Sequence, residues 1–279
     1  MLQHTFCHIQ GIGEKTEQRL WRAGITQWNK WRDPVGVPLS KRSKMEIPEI
    51  FEHSINALEK KDPAFFSNRL GSGDSWRLFS DFRSTTAYLD IETTGLGEDA
   101  EITTIAMYDG TTVYSYVNGR NLEDFLNDVQ RYTVLVSYNG KSFDIPFIEK
   151  HFKTRLPQAQ IDLRFVLAKL GIKGGLKGCE KQLGINRGAL DGVDGSFAVV
   201  LWRLFEREND ETALTTLLAY NIEDTVNLER LLVEAWNRNI LKTPFPNYLL
   251  PCPEPPRLEL HPDYDCVQRI KKQFYRNSL

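Results

Sequence analysis

The stretch YLDIETTGL, residues 88–96, carries an aspartate and a glutamate two positions apart in an apolar, β-prone run. Successive side chains of a β-strand point to opposite faces, so Asp90 and Glu92 share one face of this strand. Two like charges side by side repel each other unless a cation or a proton intervenes. The pair indicates a cation site at a strand end. A half-exposed strand that leads into a polar turn is the simpler structural alternative.

A third acidic residue occurs in SYNGKSFDIPFI, residues 137–148. The pattern predicts a strand that ends at Tyr138, a turn at Asn139 and Gly140, and a helix that begins around Phe143. Asp144 would then lie in the first helical turn, next to the end of a strand adjacent to the first one. Taken alone, it is equally explained as an aspartate that stabilises the helix N-terminus.

A fourth acidic residue lies in the strongly periodic segment LLAYNIEDTVNLERLL, residues 217–232. Tyr220 and Asp224 are four residues apart, so they lie one above the other on one face of the predicted helix. A hydrogen bond between a tyrosine and an aspartate would account for the pair without any function. Glu223 and Glu229 point elsewhere and are expected at the surface.

Together, the acidic residues predict a metal site. Four carboxylates that converge on one place repel each other severely unless they bind hard cations. Carboxylate oxygens, with water and a substrate phosphate, suit Mg²⁺ or Mn²⁺. The four are Asp90, Glu92, Asp144 and Asp224.

The order of the predicted elements indicates an α/β fold. Three strands form a meander, with a hairpin at Asp109-Gly110, and alternating helix and strand follow. This order resembles a ribonuclease H-like mixed five-stranded sheet flanked by helices. The predicted strands are 86–93, 101–108, 112–117, 133–138 and 160–163, and the predicted helices between them are 121–131 and 143–153.

Residues 5–31 predict a short helix, a Gly-Ile-Gly hairpin and a second helix with Leu20, Trp21 and Ile25 facing inward. This order resembles a helix-hairpin-helix module, an all-α unit that precedes the sheet. In that family the hairpin glycines let the backbone approach a phosphate, and the amides of the hairpin and of the next helix N-terminus point at the anion. The resemblance assigns nucleic-acid contacts to Gly11, Ile12, Gly13 and Lys15. An ordinary helical hairpin with glycine as its turn residue is the alternative.

The charge distribution and the spacing of the cysteines limit which classes of protein remain possible. The first 80 residues carry 12 Lys and Arg against 9 Asp and Glu, and the rest carry 23 against 28. This mild asymmetry suits a front part that binds nucleic acid and a remainder that collects cations. The four cysteines have no zinc-ligand spacing and are interpreted as reduced thiols. With no signal-peptide stretch and no membrane-spanning run, a cytoplasmic protein without a membrane partner is expected.

The motifs DIETTGL, NGKSFD and YNIED together resemble the three motifs of the DEDD (DnaQ-like) 3′-to-5′ exonucleases over residues 86 to 235. With the front module, the chain resembles the YprB-like ribonuclease H-like branch. The resemblance implies that Asp90, Glu92 and Asp224 bind one metal ion. Asp90 would also reach a second ion, which Asp144 would hold through water. Tyr220, four residues before the last aspartate, is typical of the Tyr-type branch and would orient the attacking water.

The same resemblance implies contacts with the substrate and a division into domains. Leu96 and Phe143 match positions that contact the terminal nucleotides, and Thr94 and Asn139 are assigned to nucleic-acid binding with them. Lys177 and Lys181 match no family motif, so a phosphate contact for them is only a guess. The expected units are a hairpin module (1–32), a helical linker arm (33–84) with one helix at 47–61, an exonuclease domain (85–240), and a proline-rich tail with a terminal helix (241–279).

These expectations converge on two-metal hydrolysis of a single-stranded nucleic acid from its 3′ end, with release of nucleoside 5′-monophosphates. Mg²⁺ or Mn²⁺ serves as the metal, and no organic cofactor is expected. DNA is favoured over RNA, although no motif encodes recognition of a 2′-hydroxyl. Two alternatives stay open: an inactive nucleic-acid-binding adaptor and a structure-selective endonuclease.

Overall fold

A five-stranded mixed sheet forms the centre of the structure, a computed structural model that describes residues 1–32, 36–97, 99–186, 193 and 195–277, without the side chains of Arg42 and residues 273–277. The strand order is β3-β2-β1-β4-β5; β1, β2 and β3 are antiparallel neighbours, and β4 and β5 run parallel to β1. The predicted mixed sheet is confirmed. The strands are β1 (Thr86–Thr93), β2 (Ile102–Tyr108), β3 (Val113–Val117), β4 (Val134–Ser137) and β5 (Ala159–Asp162).

The hairpin between β2 and β3 forms where the Asp-Gly pair predicts it. The side-chain oxygen Oδ1 of Asp109 accepts from the backbone amides of Thr111 (3.0 Å) and Thr112 (2.8 Å). Gly110 has a φ of +95°, which residues with a Cβ rarely adopt. This turn fixes the register of the two strands.

Helices cover both faces of the sheet, as the α/β prediction requires. The helices are α1 (Glu14–Arg22), α2 (Lys41–Glu59), α3 (Pro63–Ser67), α4 (Phe79–Phe82), α5 (Phe125–Val129), α6 (Asp144–Phe152), α7 (Leu163–Lys169), α8 (Gly175–Gln182), α9 (Gly195–Glu208), α10 (Glu211–Ile240) and α11 (Tyr264–Asn277). The long helix α10 packs across β1, β2 and β3 on one face. On the other face, Leu89 and Ile91 of β1 share a core with side chains of α5 and α6.

The region predicted as a helical linker arm with one helix contains α2, α3 and α4 within residues 36–84. Helix α2 begins at Lys41, six residues before the predicted start, because Ser40 caps it by accepting from the Ser43 amide at 2.9 Å. Further along, Trp76, Phe79 and Phe82 are buried, and Trp76 meets Trp236 of α10 edge-on with ring centres 5.3 Å apart. The sequence did not indicate their burial, because these aromatic residues lie in short helical segments that leave no periodic pattern. That this region is a separate linker arm stays a prediction.

The N-terminal hairpin also deviates from the predicted motif. The expected helix before Gly11 is only a 3-10 turn, Leu2–His4, and a loop runs from there to α1. Leu20, Trp21 and Ile25 face inward, as predicted. The buried side chains of this region belong to the same hydrophobic core as Trp76 and Trp236. That a separate module begins and ends at residues 1–32 stays a prediction.

The proline-rich tail runs along α10. Trp236 of α10 donates its indole N–H to the carbonyl of Tyr248 at 2.7 Å. Asn237 bonds both the amide and the carbonyl of Leu250, at 2.9 and 2.8 Å. After this extended stretch, α11 buries Cys266, Val267 and Ile270 in a core that includes residues of α9 and α10.

Candidate active site

Strand β1 presents Asp90 and Glu92 toward the face that α10 covers. Their neighbours Leu89 and Ile91 are buried on the opposite face, and the two acids themselves are half-buried. The cross-strand partner of Glu92 is Thr104 of β2. The alternation predicted from the sequence is therefore present, and it sets the two carboxylates side by side.

Helix α10 brings Asp224 to this pair. One carboxylate oxygen each of Asp90, Glu92 and Asp224 lies within 4.8 Å of the others, and Asp224 is buried. These three residues come from a strand and from a helix more than a hundred residues later. We call this group the acid cluster. Its oxygens are close enough to bind one ion together.

Asp144, in the first turn of α6, also lies close to these acidic residues. Its side chain is buried, and Oδ1 accepts from the backbone amide of Ile91 at 3.2 Å. Asp144 is thus bonded to the strand between Asp90 and Glu92. It does not belong to the three-residue acid cluster, so its predicted role at a second ion stays a prediction.

The electrostatics of the site favour a proton or a cation. Burial raises the pKa of Asp90 well above its usual range, and the charges of Asp144, Glu92 and Asp224 raise it further. Burial likewise raises the pKa of Asp144 to about 7. A donor set made only of carboxylate oxygens fits a hard divalent cation such as Mg²⁺ or Mn²⁺. The residues present therefore suit the predicted metal.

The loop before Asp144 is fixed from β5. Asn139 adopts a φ of +66°, and a Cβ added at Gly140 would lie 2.1 Å from the Ser137 hydroxyl. The buried carboxylate of Asp162 accepts from the amides of Asn139 (2.8 Å) and Lys141 (3.3 Å). Sequence reasoning missed Asp162, whose place at the end of a strand was the available signal. It positions the loop that carries Asp144.

Tyr220 lies on α10 one turn before Asp224, and it is buried. The ammonium group of Lys177 on α8 donates to the Tyr220 hydroxyl and lies 4.5 Å from the centre of its ring. Lys177 also donates to the carbonyl of Val193. The sequence suggested a phosphate contact for Lys177 only as a guess. The structure instead shows it bonded to the tyrosine of the site.

Three of the predicted substrate contacts lie close in sequence to predicted metal ligands. Leu96, just past β1, is 86% exposed. Thr94 is half-buried, and its hydroxyl accepts from the Glu101 amide at 3.0 Å. Phe143 is half-buried against Phe147, with ring centres 4.7 Å apart. Their roles in binding stay predictions.

The hairpin residues form a shallow depression elsewhere on the chain. Gly11 has a φ of +85°, and Ile12 is buried while Gly13 is exposed. Gly13 caps α1 without a side-chain hydrogen bond, and Lys15 is exposed in the first turn. The guanidinium of Arg69 lines the same depression. Sequence reasoning missed this cation, because α1, α2 and α3 lie between it and the hairpin along the chain.

The comparisons with known proteins bear on this arrangement. The model of the RNase H superfamily family RNase_H_2 matches residues 87–236, more than half of the chain. The chain belongs to the RNase H superfamily. All four predicted metal ligands of this RNase H superfamily protein, Asp90, Glu92, Asp144 and Asp224, lie within the matched residues.

Other comparisons add less. No curated protein sequence matches the chain. Among solved structures, a family B DNA polymerase from the hyperthermophilic archaeon Pyrobaculum calidifontis is similar, with 16% identity and a TM-score of 0.41. The similarity covers 55% of this chain and 25% of the polymerase. The chain thus spans a quarter of that polymerase, and the similarity is too weak to bear on function.

Membership of the superfamily supports a nuclease that hydrolyses nucleic acid, and nucleases of this superfamily use divalent metals. The acid cluster suits that chemistry. Among the described residues, none of the helices combines the length and the apolar character needed to cross a membrane. Cys7, Cys179, Cys252 and Cys266 are all free thiols.

Proposed function

We propose that this protein is a metal-dependent 3′-to-5′ exonuclease of the Tyr-type DEDD group, in its YprB-like branch. It removes nucleoside 5′-monophosphates from single-stranded nucleic acid, DNA in preference to RNA. The observation that carries the proposal is the acid cluster, in which oxygens of Asp90, Glu92 and Asp224 lie within 4.8 Å of one another. The Asp144 bond to the Ile91 amide adds a fourth carboxylate beside them.

The proposed chemistry assigns a task to each side chain. Asp90, Glu92 and Asp224 hold Mg²⁺ or Mn²⁺, and Asp144 contributes to a second ion through water. When bound, two such ions supply charge neutralisation at the scissile phosphate and an activated water. Tyr220 orients that water. Lys177 donates to the Tyr220 hydroxyl oxygen, so in this role the hydroxyl donates its own proton toward the water.

We place the proposed substrate contacts in the loops that follow β1 and β4. Leu96 and Phe143 contact the terminal bases, since an exposed leucine and a half-buried phenylalanine offer apolar surface for stacking. Thr94 and Asn139 lie beside them in the two loops that follow β1 and β4.

A second contact with the backbone of the nucleic acid is proposed at the N-terminal hairpin. Gly11, Ile12, Gly13 and Lys15 would grip a phosphate in the manner of a helix-hairpin-helix module. The exposed Arg69 lines the same depression and adds a positive charge. This contact would be independent of base sequence.

The proposal is tested with 3′-labelled single strands of DNA and RNA, with the full-length protein and Mg²⁺ or Mn²⁺. We expect mononucleotides as the first product, faster release from DNA, and loss of activity in EDTA that added metal restores. The Asp90→Asn variant should lose at least about 10²-fold in rate. The matched control Glu123→Gln removes an exposed acid outside the acid cluster and should leave the rate unchanged.

Two results would contradict the proposal. Near-normal hydrolysis by folded Asp90→Asn protein would exclude the acid cluster as the active site. Cleavage of a circular single strand, which has no 3′ end, would indicate an endonuclease instead.

A further inference from the structure

Asn221 of α10 lies one turn before Asp224, between the acid cluster and the sheet. Its side chain is fully buried, and so is that of Thr104 on β2. Asn221 Nδ2 donates to Asp90 Oδ2 at 2.7 Å, and Asn221 Oδ1 accepts from the Thr104 hydroxyl at 3.0 Å. Asn221 lies within the YNIED motif, but the resemblance assigns no role to Asn221 or to Thr104.

Chemistry fixes the orientation of this amide. With a metal ion bound, Asp90 is ionised and only accepts hydrogen bonds, so the NH₂ group of Asn221 must face it. The amide oxygen then faces Thr104, whose hydroxyl must donate. Each partner therefore has one assigned direction, and a buried amide with both ends bonded avoids the cost of an unpaired polar group.

The contact restricts Asp90 in particular. The terminal torsion of an aspartate is broad, so an isolated carboxylate rotates easily. A short bond to Oδ2 removes much of that freedom. Thr104 is also the cross-strand partner of Glu92, and Asn221 shares its helix with Asp224. The three hydrogen-bonded residues therefore connect β1 and α10, which carry the acid cluster, with the neighbouring strand β2.

A neutral amide is suited to this position. An aspartate there would add another negative charge to carboxylates that already repel each other. A leucine of similar volume would fill the space but offer no donor to Asp90. The residue type thus matches a group that orients a carboxylate without adding charge.

We infer that Asn221, with Thr104 behind it, is a positioning residue that sets the orientation of Asp90 for metal binding. The inference rests on the proposed metal site. Hydrogen-bonding partners of metal ligands typically change metal affinity by about 10- to 100-fold when removed. A similar loss is expected here.

The test is a Mn²⁺ titration of the full-length protein followed by electron paramagnetic resonance, together with thermal melting with and without Mn²⁺. Asn221→Leu should weaken Mn²⁺ binding by about 10-fold or more, and saturating Mn²⁺ should restore most of the hydrolysis rate. Thr104→Val should weaken binding in the same direction by a smaller factor, because the amide loses its second anchor. Thr104→Ser keeps the hydroxyl and should bind as the wild type does.

Asn227→Leu is the matched control on the same helix. Asn227 donates to a different carboxylate, Glu180 Oε1, at 2.8 Å. Its replacement removes an equivalent amide–carboxylate bond away from the acid cluster, and we expect unchanged Mn²⁺ affinity.

The outcomes separate this inference from the proposed function. Wild-type protein that binds no Mn²⁺ would overturn the metal site itself. A wild type that binds Mn²⁺ with a folded Asn221→Leu variant of equal affinity would overturn only the positioning role. If Asn221→Leu does not fold, the Thr104→Val and Thr104→Ser pair decides, and equal affinities for the two would reject the inference.

Discussion

Glu17 and Asp90 are carboxylates in two regions of the molecule, and the charges around them have opposite signs. Glu17 is buried against Arg77, with Oε2 and Nη2 2.7 Å apart, and its Oε1 also accepts from the Phe6 amide at 2.6 Å. The charges that act on Asp90 are those of Asp144, Glu92 and Asp224. The charge of Glu17 is neutralised by Arg77 within the fold. Asp90 instead has other acidic residues around it.

This difference separates structural charge from functional charge. A buried acid with a guanidinium partner holds two segments together, and it needs nothing from outside the chain. Acids that face other acids raise the free energy of the folded state unless a cation binds. The comparison predicts opposite responses to the same kind of substitution in the two regions.

The largest effect is expected at the N-terminal pair. Arg77→Met leaves Glu17 buried without its guanidinium and should lower the free energy of unfolding by about 3–5 kcal/mol. Arg155→Met is the control, because Arg155 is 90% exposed in its pair with Glu149 and should cost less than about 1 kcal/mol. Urea denaturation measures both. Equal losses of stability in the two variants would contradict the structural role of the buried Glu17–Arg77 pair.

The pH dependence of stability in EDTA should be the next largest effect. Because burial raises the pKa of Asp144 to about 7, the folded state binds a proton that the unfolded state has already lost above about pH 4. This group therefore reduces the free energy of unfolding as the pH rises from about 4 to 7, by about 2 kcal/mol between pH 5 and 7. Asp144→Asn should remove that fall. Parallel pH profiles for the variant and the wild type would contradict the assignment.

A smaller effect of opposite sign to that of Arg77→Met is expected in the acid cluster. Without metal, Asp90→Asn removes a carboxylate whose ionised form the folded state disfavours, and it should raise the free energy of unfolding by about 1 kcal/mol. In the same variant, the stabilisation of the wild type by saturating Mn²⁺ should largely disappear. Thermal melting with EDTA or Mn²⁺ tests both statements. A destabilised variant in EDTA would mean that the charge of Asp90 is neutralised within the fold, as the charge of Glu17 is.

The smallest effect concerns nucleic-acid binding at the hairpin. Lys15→Ala should weaken binding of a single strand slightly and reduce the salt slope of log K by about one. Lys60→Ala removes another exposed lysine as the control. Fluorescence anisotropy across salt concentrations measures the slopes. Identical slopes for Lys15→Ala and the wild type would place the phosphate contact elsewhere.

Point variants are required here because removing residues 1–32 would not be a clean experiment. Leu2, Phe6 and Leu20 are fully buried in the core that they share with later segments. The deletion would also leave Arg77 without Glu17. Loss of binding in such a protein would report loss of folding.

The sequence predicts those parts of the site that follow from the side-chain periodicity of a strand or a helix. Alternation along β1 sets Asp90 and Glu92 on one face, and the strand-to-helix junction sets Asp144 in the first turn of α6. The four-residue spacing of Tyr220 and Asp224 is realised in α10. These relations join residues that are close in sequence, so they can be predicted without knowledge of the fold.

Contacts between distant segments could not be predicted in this way. Glu229 was expected at the surface, but it is buried and paired with Arg83 at 3.0 Å. Asn221 looks like any polar residue within a helix until Asp90 and Thr104 are brought to it. The same holds for Asp162, which binds the loop before Asp144. A single sequence can place such a residue on a strand end or a helix, but it does not show which distant group the side chain contacts.

The core shared by the N-terminal hairpin and the sheet has a consequence for how substrate length would matter. A hairpin on a free tether could follow a strand of any length, but this one is packed in the same core as Trp76 and Trp236. If both proposed contacts hold, the span between the gripped phosphate and the cut end is set by the protein. Affinity should then rise in one step once an oligonucleotide is long enough to bridge it, so that the molecule acts as a ruler.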